Sequence, residues 1–585
     1  MSAAVLIVRA RVRVPSIELV LTIVQVGAGP TGLSLAIALL RNGVPVRIID
    51  KAPEPRVGQK GFGIQASTHP LLGENSSPCM KHKHRSSCIN PRTLEVLHLL
   101  GGGILDEVLD RASYIKNMLI YEMPSAVKVA RELETTPKVP ATPDRPLPDS
   151  RLLGQDRFEA MLTRYLEAAG GKVERGVELV DFIQDDDHAH VEPRKTDGPI
   201  EHAQFDFLVG CDGGHSFVRR LLGLAFVGET RDAEWSLVAD VVVRGLDSVS
   251  SLSSSDDFSS DGPSIRRPFH PTSISSDDSA IRRWLERFYA ITGRTDIEFG
   301  EVKCASWYRP NIRMVDRFGE GRVFVAGDAA CTHSPAGGQG MNSGIQDGFN
   351  LAWKLSIVQK KLVPLALLAT YTSERVPIIA TMLQKTTEIS DGFVKAAYQQ
   401  RTDPATGEWK RDGAMKQFGM SYRGSGIVLD ERNSLPDAMP SAYGSGDGVR
   451  RAGDRAPSAP VRCAADEGVQ KLFDVFSCRR NTVLVFSSGE EVARRVVDAV
   501  RSLPEGLSNL VVVSTPGKVH GDNALMVLED FAGHAWSIYQ VEHDPTIVIV
   551  RPDGVIGAVV LKVDGVRRYF GKILGHVQIV RASRL

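Results

Sequence analysis

The stretch that decides the fold is residues 21–50, LTIVQVGAGPTGLSLAIALLRNGVPVRIID. It opens with an apolar, β-branched run and passes through three glycines, Gly27, Gly29 and Gly32. Apolar residues then recur at helical spacing up to Gly43, and a second apolar run ends at Asp50. This periodicity predicts a strand, a glycine turn, a helix and a second strand.

The glycine turn has the chemistry of a dinucleotide-binding loop. Gly27 permits a tight turn, Gly29 lets backbone N–H groups approach a pyrophosphate, and Gly32 allows close packing of helix on strand. The helix N-terminus adds a positive dipole end. Asp50, 18 residues beyond Gly32, is placed to bind an adenosine ribose without a 2′-phosphate, which favours FAD or NAD. An ordinary βα turn is the alternative.

A second strand-to-loop junction lies at residues 325–342, VAGDAACTHSPAGGQGMN. Asp328 directly follows the predicted strand and is suited to a polyol hydroxyl. The glycines up to Gly340 would let a planar ring lie against the backbone, and the following helix N-terminus would stabilise an anionic, reduced flavin. A plain βα loop is the alternative here too.

A third motif, Asp212-Gly213-Gly214, follows a short buried run that ends at Val209. Arg219 comes one or two helical turns later. Taken alone, this motif is explained equally well as a turn with a helix cap.

In this order, three segments resemble the single-component FAD-dependent aromatic hydroxylases, and the branch they resemble most is phenol hydroxylase. They are residues 27–32 (GAGPTG), 208–220 (LVGCDGGHSFVRR) and 327–342. Residues 453–457 (GDRAP) and 551–557 (RPDGVIG) resemble that branch's C-terminal thioredoxin-like domain. The resemblance covers most of residues 20–245 and 300–585.

The resemblance implies an α/β fold: a Rossmann-like FAD-binding domain, an interleaved α+β substrate domain and a C-terminal thioredoxin-like domain. The predicted bounds are 1–235 (FAD-binding), 236–320 (substrate domain, Ser-rich at 248–278), 321–423 (completion of the FAD-binding domain and helices), 424–460 (linker) and 461–585 (thioredoxin-like). In the tail, strands are predicted at 482–486, 510–514 and 546–551 and a helix at 490–503. Because the tail has no Cys-x-x-Cys, we expect interaction or dimer support rather than thiol chemistry.

The resemblance also assigns cofactor contacts, residue by residue. The assigned residues are Gly27, Gly29, Gly32 and Asp50 for the ADP half of FAD, Gln155 near the flavin, Asp212 for FAD and NAD(P)H, Asp328 for the ribityl chain, and Pro335, Gly338, Gly340, Met341 and Asn342 beside the isoalloxazine ring. The residue that activates the substrate is not identified, and no metal ligands are predicted.

The implied reaction is hydroxylation of a phenolic or other aromatic substrate with NAD(P)H and O₂ through a flavin C4a-hydroperoxide. The protein would position the substrate and exclude water. The resemblance suggests NADPH and a homodimer. Two alternatives stay open: epoxidation or Baeyer–Villiger insertion on a polyketide-like product, and a non-catalytic flavin-binding protein.

Two segments depart from the family pattern. Residues 9–26 separate a strand-like start, residues 1–8, from the glycine turn, and residues 66–90 interrupt a natural join between Gln65 and Pro91. We hypothesise that both are retained introns or gene-model errors, which transcript reads running unbroken through them would refute. The second segment holds Cys79-x₂-His82-x-His84-x₃-Cys88, which imitates zinc-site spacing without a core to close over it.

One further departure lies in the second glycine loop, where Cys331 stands in place of the family's usual histidine.

Composition bounds the class of protein. Lys plus Arg and Asp plus Glu both number 70, so no global charge recruits nucleic acid or an anionic membrane. A hydrophobic content of 42% without an apolar run of about 18 residues predicts a soluble protein, and seven scattered cysteines suit a reducing compartment. The C-terminal Ser583-Arg584-Leu585 is similar to the peroxisomal Ser-Lys-Leu address, so a cytoplasmic or peroxisomal location is expected.

Overall fold

The computed structural model describes most of the chain. The described residues are 23–56, 87–231 (without 116, 123–126, 134–135 and 137), 236–244, 282–334 (without 283–284, 287, 291 and 309), 336–398, 413–432, 442–443, 448–516 (without 464–465 and 488) and 526–575. The Ser-rich stretch, residues 9–22 and 66–86 of the two predicted inserts, and the C-terminal tripeptide lie outside them.

A six-stranded sheet forms the first half of the molecule. Its order is Gly319–Glu320, Val323–Val325, Phe207–Gly210, Ile23–Val26, Val46–Asp50 and Val173–Arg175. All neighbours pair in parallel except the first two strands. Every residue of Ile23–Val26 is buried, which agrees with the near-continuous apolar runs that parallel sheets require. This confirms the predicted α/β fold.

Two helices that follow the glycine loops pack against each other. The helix Pro30–Arg41 begins at the end of the first glycine loop, and Pro30 at its first position has a fixed φ that suits a helix start. The helix Gly340–Gln359 follows the second loop and is buried along almost its whole length. Both therefore begin at the same edge of the sheet, where the strands end.

The intervening chain forms smaller sheets around this layer. They are Ala203–Phe205 with Ala189–Lys195 and Val177–Gln184; Phe226–Thr230 with Asn311–Val315 and Cys331–Thr332; Ser236–Arg244 with Glu298–Tyr308; Ser87–Ile89 with Arg151–Leu153 and Ser113–Tyr114; and Met118–Tyr121 with Val129–Leu133. The α-helices in this part are Pro91–Leu100, Ile104–Arg111, Gln155–Ala168, Phe217–Leu221 and Ala369–Tyr398.

The C-terminal part contains an eight-stranded sheet. Its order is Leu429–Asp430, Ile556–Val560, Thr546–Val550, Asn481–Phe486, Ser508–Ser514, Met526–Glu529, Pro460–Cys463 and Asp466–Lys471. Its helices are Leu472–Val475, Glu490–Arg501, His534–Ile538 and Val563–Leu574. This α/β arrangement is compatible with the thioredoxin-like domain that the resemblance implies.

The two halves share one hydrophobic core. A single cluster of buried side chains runs from Ile23 in the first sheet to Leu574 in the last helix. The segment predicted as a linker contributes to it through Ala452, Ala456 and Ala459, and its strand Leu429–Asp430 pairs with Ile556–Val560. The C-terminal part is therefore packed onto the first half rather than tethered to it.

The structured chain includes the C-terminal ends of both predicted inserts. Ile23–Val26 is the strand at the centre of the parallel order, flanked on both sides. Ser87–Ile89 pairs with Arg151–Leu153, and the N–H of Asn90 donates to Asn342 Oδ1 over 2.8 Å. These stretches are integral to the fold, and the origin of the two predicted inserts, residues 9–26 and 66–90, stays a prediction.

Among the residues that the structure describes, no helix is both long and apolar enough to cross a membrane.

Candidate functional site

The carboxyl ends of three neighbouring parallel strands meet at the middle of the first sheet. Cys211 N–H, just past one strand, donates to Val26 O over 2.7 Å. Ala326 N–H, past the next, donates to Gly210 O over 2.9 Å. Open α/β sheets bind ligands outside these strand ends. All three motifs singled out from the sequence therefore lie at one edge, within backbone contact of each other.

The glycines of the first loop differ in what surrounds them. A Cβ on Gly27, whose φ is +103°, would lie 2.3 Å from Cys211 O, and one on Gly32 would lie 2.2 Å from Gly27 O. Beside Gly29 no protein atom lies within 4 Å of such a Cβ. Gly27 and Gly32 thus let the backbone segments pack against each other, whereas Gly29 leaves an open face at the helix N-terminus.

Asp50 is held against the first loop by two backbone N–H groups. Ala28 N–H donates to its Oδ2 over 2.7 Å and Ala52 N–H to its Oδ1 over 2.9 Å. Arg175 lies 3.7 Å from Oδ2. A carboxylate can accept about four hydrogen bonds, so acceptor capacity is left for a ribose hydroxyl.

Gln155 stands at the start of its helix and donates to Glu159 Oε1 over 2.8 Å. Burial raises the pKa of Glu159, and Arg56, 3.5 Å away, opposes the rise. Glu159 also feels the charges of Asp50 and Arg175. Glu159 and Arg56 were missed from the sequence, although the i, i+4 spacing of Gln155 and Glu159 on a predicted helix could have suggested the pair.

Asp212 caps a helix in this structure. Its carboxylate accepts from Ser216 Oγ over 2.5 Å and from Phe217 N over 2.6 Å, at the start of Phe217–Leu221. Arg219 on that helix donates to the carbonyls of Gly214 and Ala329, both over 2.9 Å. The motif therefore ties its own loop to the second glycine loop.

Asp328 lies in a short 3₁₀ turn, Gly327–Ala329, directly after a buried strand. Its two neighbours are buried but Asp328 itself is exposed at the strand end. It is therefore available to a ligand.

The second loop reaches its helix through two glycines in the left-handed region, Gly337 (φ +74°) and Gly338 (φ +64°). The buried Asn342 donates to Gly338 O over 2.7 Å and to Cys88 O over 2.8 Å, so its side chain fixes the loop to a neighbouring strand. A Cβ on Gly340 would lie 2.0 Å from His333 Nε2. Met341 is half-buried beside it.

Two other predicted features of this loop have different outcomes. Pro335 lies outside the described residues. Cys331 is buried, and burial raises the pKa of its thiol well above the ordinary value. A thiol with that pKa is neutral near pH 7, so Cys331 acts as an apolar packing residue.

These features fit FAD. The open face at Gly29 lies where a helix N-terminus can bind a pyrophosphate, and Asp328 is exposed where a polyol chain would pass. Backbone at Gly337 and Gly338, with no side chain on either glycine, offers a surface for a planar ring. For metals, no group of three or more His, Cys, Asp or Glu side chains able to hold an ion occurs among the described residues, and three of the four zinc-like positions lie outside them.

Comparison with known proteins agrees with this geometry. The model of the FAD binding domain family matches residues 20–75 and 74–386. A flavin-dependent monooxygenase of Mycobacteroides abscessus is 31% identical over 95% of this chain and 100% of its own length. Pentachlorophenol 4-monooxygenase of Sphingobium chlorophenolicum is 27% identical over 91% and 92%.

The fold is also that of a solved structure, a ternary complex of aklavinone-11 hydroxylase with FAD and aklavinone. It aligns with a TM-score of 0.67 at 23% identity, over 96% of this chain and 100% of that one. The family match covers more than half of the chain, and the Mycobacteroides relative is similar over nearly all of it. The chain therefore belongs to the FAD binding domain family and is an FAD-dependent monooxygenase.

Proposed function

We propose that this monooxygenase hydroxylates an electron-rich aromatic ring, phenolic or fused and polyketide-like, using NAD(P)H and O₂. The observation that carries the proposal is the convergence of the three glycine-rich strand ends around the open face at Gly29 and the exposed Asp328. The names of two relatives support the substrate class, since they are a pentachlorophenol 4-monooxygenase and an aklavinone 12-hydroxylase.

Four of the predicted residues have the following proposed tasks in this site. The Gly29 loop and the N-terminus of Pro30–Arg41 would bind the pyrophosphate, and Asp50 the adenosine ribose. Asp328 would accept from a ribityl hydroxyl. Gln155, paired with Glu159, stands on the Asp50 side of the site, where Glu159 feels the charge of Asp50.

FAD, when bound, accepts a hydride from NAD(P)H and activates O₂. The chain's contribution is positioning and electrostatics. The helix Gly340–Gln359 directs its positive N-terminal end at the second loop, which favours negative charge on a ring placed there. Asn342 keeps that helix start fixed, because its amide is bonded to backbone on two sides.

The first test is spectroscopic and chemical. Purified protein should be yellow, and NAD(P)H oxidation should accelerate with phenols or polycyclic phenols and yield products heavier by one oxygen. A ring-expanded lactone or an epoxide, each also heavier by one oxygen, would replace the proposal by the polyketide alternative. Colourless protein that takes up no FAD would refute any flavin chemistry in this chain. NADPH against NADH in the same assay, and light scattering, test the predicted NADPH preference and homodimer.

The second test asks whether the open face at Gly29 receives the pyrophosphate. Gly29→Ala should weaken FAD binding at least roughly tenfold, because a methyl group would occupy the space needed by hydrogen bonds to a charged group. Gly426→Ala is the matched control: like Gly29, Gly426 has no positive φ and no atom within 4 Å of its Cβ, and it is exposed. Equal FAD dissociation constants for both variants would remove Gly29 from the site.

Asp328 can be tested in the same way. Asp328→Asn should raise the FAD dissociation constant, since a charge-assisted hydrogen bond is worth more than a neutral one. Asp316→Asn changes another exposed carboxylate, which lies shortly before Asp328 in the sequence, and should leave FAD binding unchanged. An unchanged dissociation constant in Asp328→Asn would reject its ribityl role.

A further inference from the structure

Two consecutive residues of the helix Ala369–Tyr398 are buried and make contacts in different directions. Glu374 accepts two hydrogen bonds from Arg551 of the C-terminal sheet, over 2.7 and 2.9 Å. Arg375 donates through Nε to Asp347 Oδ1 over 2.6 Å, on the flavin-side helix Gly340–Gln359. One turn of helix thus contacts both the C-terminal part and the scaffold of the flavin site.

Asp347 in turn contacts the backbone of the second glycine loop. Its Oδ2 accepts from the N–H of Gly327 over 3.1 Å, and Gly327 directly precedes the exposed Asp328. The loop has no free space there: a Cβ on Gly327 would lie 2.6 Å from Thr31 Oγ1, and one on Gly344 would lie 3.0 Å from Gly327 Cα. The position of Gly327 is therefore determined by close packing against Thr31 and Gly344 and by the hydrogen bond to Asp347.

Tyr422 closes the connection to the C-terminal part. Its hydroxyl accepts from Arg375 Nη1 over 2.8 Å, and its ring lies 5.4 Å from the Arg551 guanidinium. Its backbone N–H donates to Gly453 O over 2.8 Å, within the GDRAP segment. All three side chains of this relay, Asp347, Arg375 and Tyr422, are buried.

We propose that Asp347, Arg375 and Tyr422 form a positioning relay through which docking of the C-terminal part sets the geometry of the Gly327–Asp328 turn, and with it the affinity for FAD. None of the three is a proposed FAD contact, and Asp347 reaches the second glycine loop only through the backbone N–H of Gly327. They act by keeping one backbone N–H and the carboxylate after it in place. The C-terminal part therefore contributes to flavin binding without contributing a flavin contact.

The relay lies where the C-terminal part packs onto the first half. Its docking contacts are short, buried and charged, so a small displacement would leave Arg375 without one of its acceptors. Removing a partner from a buried charge is costly. This cost favours the docked arrangement, in which Arg375 holds Asp347 and Asp347 holds Gly327.

The experiment measures FAD binding to refolded or deflavinated protein by fluorescence quenching. Tyr422→Phe removes only the hydroxyl that accepts from Arg375 and should raise the FAD dissociation constant roughly 2- to 10-fold. Asp347→Asn should raise it at least as much and should change the visible dichroism of bound flavin at saturating FAD. If Asp347→Asn does not fold, Tyr422→Phe carries the test alone.

Glu95→Gln is the matched control. Glu95 is equally buried and also docks the C-terminal part, but its hydrogen bonds go to Arg92 and Arg455. It should lower the unfolding temperature while leaving the FAD dissociation constant of the folded protein within twofold of wild type.

Two results would overturn the relay: a Tyr422→Phe variant that binds FAD like wild type, or a Glu95→Gln variant that weakens FAD as much as Tyr422→Phe does. Because the readout is FAD binding alone, a substrate other than an aromatic ring would leave the conclusion unaffected.

Discussion

Glu374 and Asp347 are both buried carboxylates that belong to neighbouring networks, yet their pKa values move in opposite directions. Burial alone would raise the pKa of Glu374, but Arg551 and Lys354 together bring it well below the ordinary value. Burial raises the pKa of Asp347, and Arg375, its one cationic partner among the described residues, offsets only part of the desolvation. Two cations reverse the effect of burial, and one does not.

The same difference is visible from the cation side. Lys354 shares Glu374 with Arg551. Burial destabilises its ammonium group more than the shared carboxylate stabilises it, so the pKa of Lys354 falls to about 8. Among the described residues, Glu374 thus has two cationic partners and Asp347 on the flavin side has one. We expect the ionised form of Glu374 to resist perturbation and that of Asp347 to respond to small changes.

The largest effect should come from removing the docking cation. Arg551→Met leaves Lys354 as the one remaining cation on Glu374 among the described residues and also deprives Asp553 of its ion pair, so we expect a loss of about 3–5 kcal/mol in the free energy of unfolding. Urea denaturation measures it. The control Arg568→Met breaks an ion pair of an exposed arginine with Glu431 in the same part and should cost at most about 1 kcal/mol. Equal losses would contradict the docking role.

Removing the second cation should cost less. Lys354→Met leaves Glu374 bonded to Arg551, Asn350 and Ser425, so the expected loss is about 1–3 kcal/mol. The control Lys360→Met, at the exposed end of the same helix, should change the free energy of unfolding by less than about 0.5 kcal/mol. A Lys354→Met variant more stable than wild type would show that Lys354 is a net burden to the network.

The pH dependence should differ in sign between the two carboxylates. Glu374 has a folded pKa below the ordinary 4.5, so its stabilisation is present above pH 4.5 and is lost as the pH falls through the folded value. Asp347 has a folded pKa above the ordinary 3.8, so protonation stabilises the folded state as the pH falls toward 3.8.

Urea unfolding between pH 7 and 3 should show this contrast. As the pH falls below 4.5, the difference in unfolding free energy between wild type and Glu374→Gln should shrink. As the pH falls toward 3.8, the unfolding free energy of wild type should rise relative to that of Asp347→Asn. Each change should be at most about 1.4 kcal/mol per pH unit. Parallel pH profiles for all three proteins would refute the contrast.

The smallest effect should come from one neutral donor. Ser425 Oγ donates to Glu374 Oε1 over 2.7 Å, and Ser425→Ala should cost about 0.5–1.5 kcal/mol of unfolding free energy. The control is Ser373→Ala. Ser373 is the exposed residue directly before Glu374 in its helix, and the substitution should leave the free energy of unfolding almost unchanged. A null effect in Ser425→Ala would mean that the two cations already satisfy the carboxylate.

Local elements were predictable because their periodicity is strong. The tail strands predicted at 482–486, 510–514 and 546–551 are Asn481–Phe486, Ser508–Ser514 and Thr546–Val550, and the helix predicted at 490–503 is Glu490–Arg501. The differences are at most two residues and fall at element ends, where fraying blurs any boundary. The glycine turns were predictable for the same reason: their chemistry is local.

The networks were not predictable. Glu374 and Arg551 are 177 positions apart. The local helical or strand pattern around each of them does not distinguish it from any other polar residue. Arg551 and Arg455 were quoted only as parts of family-like segments, and nothing local shows that both point into the interior. Asp212 illustrates the reverse case, because the helix cap that was its alternative explanation is the contact the structure contains.

The sequence by itself determined the strand–turn–helix units, the three glycine-rich strand ends and, through resemblance, a flavin-dependent monooxygenase. These follow from short-range rules: periodicity of burial and the steric freedom of glycine. Only the tertiary structure decided which carboxylate meets which cation, that the C-terminal part shares a core with the flavin domain, and that Gly327 is held from behind by Asp347. Ion pairing in a core depends on the distance between charged groups and on their desolvation. Both quantities are set by segments that are remote in sequence, so a local pattern does not predict them.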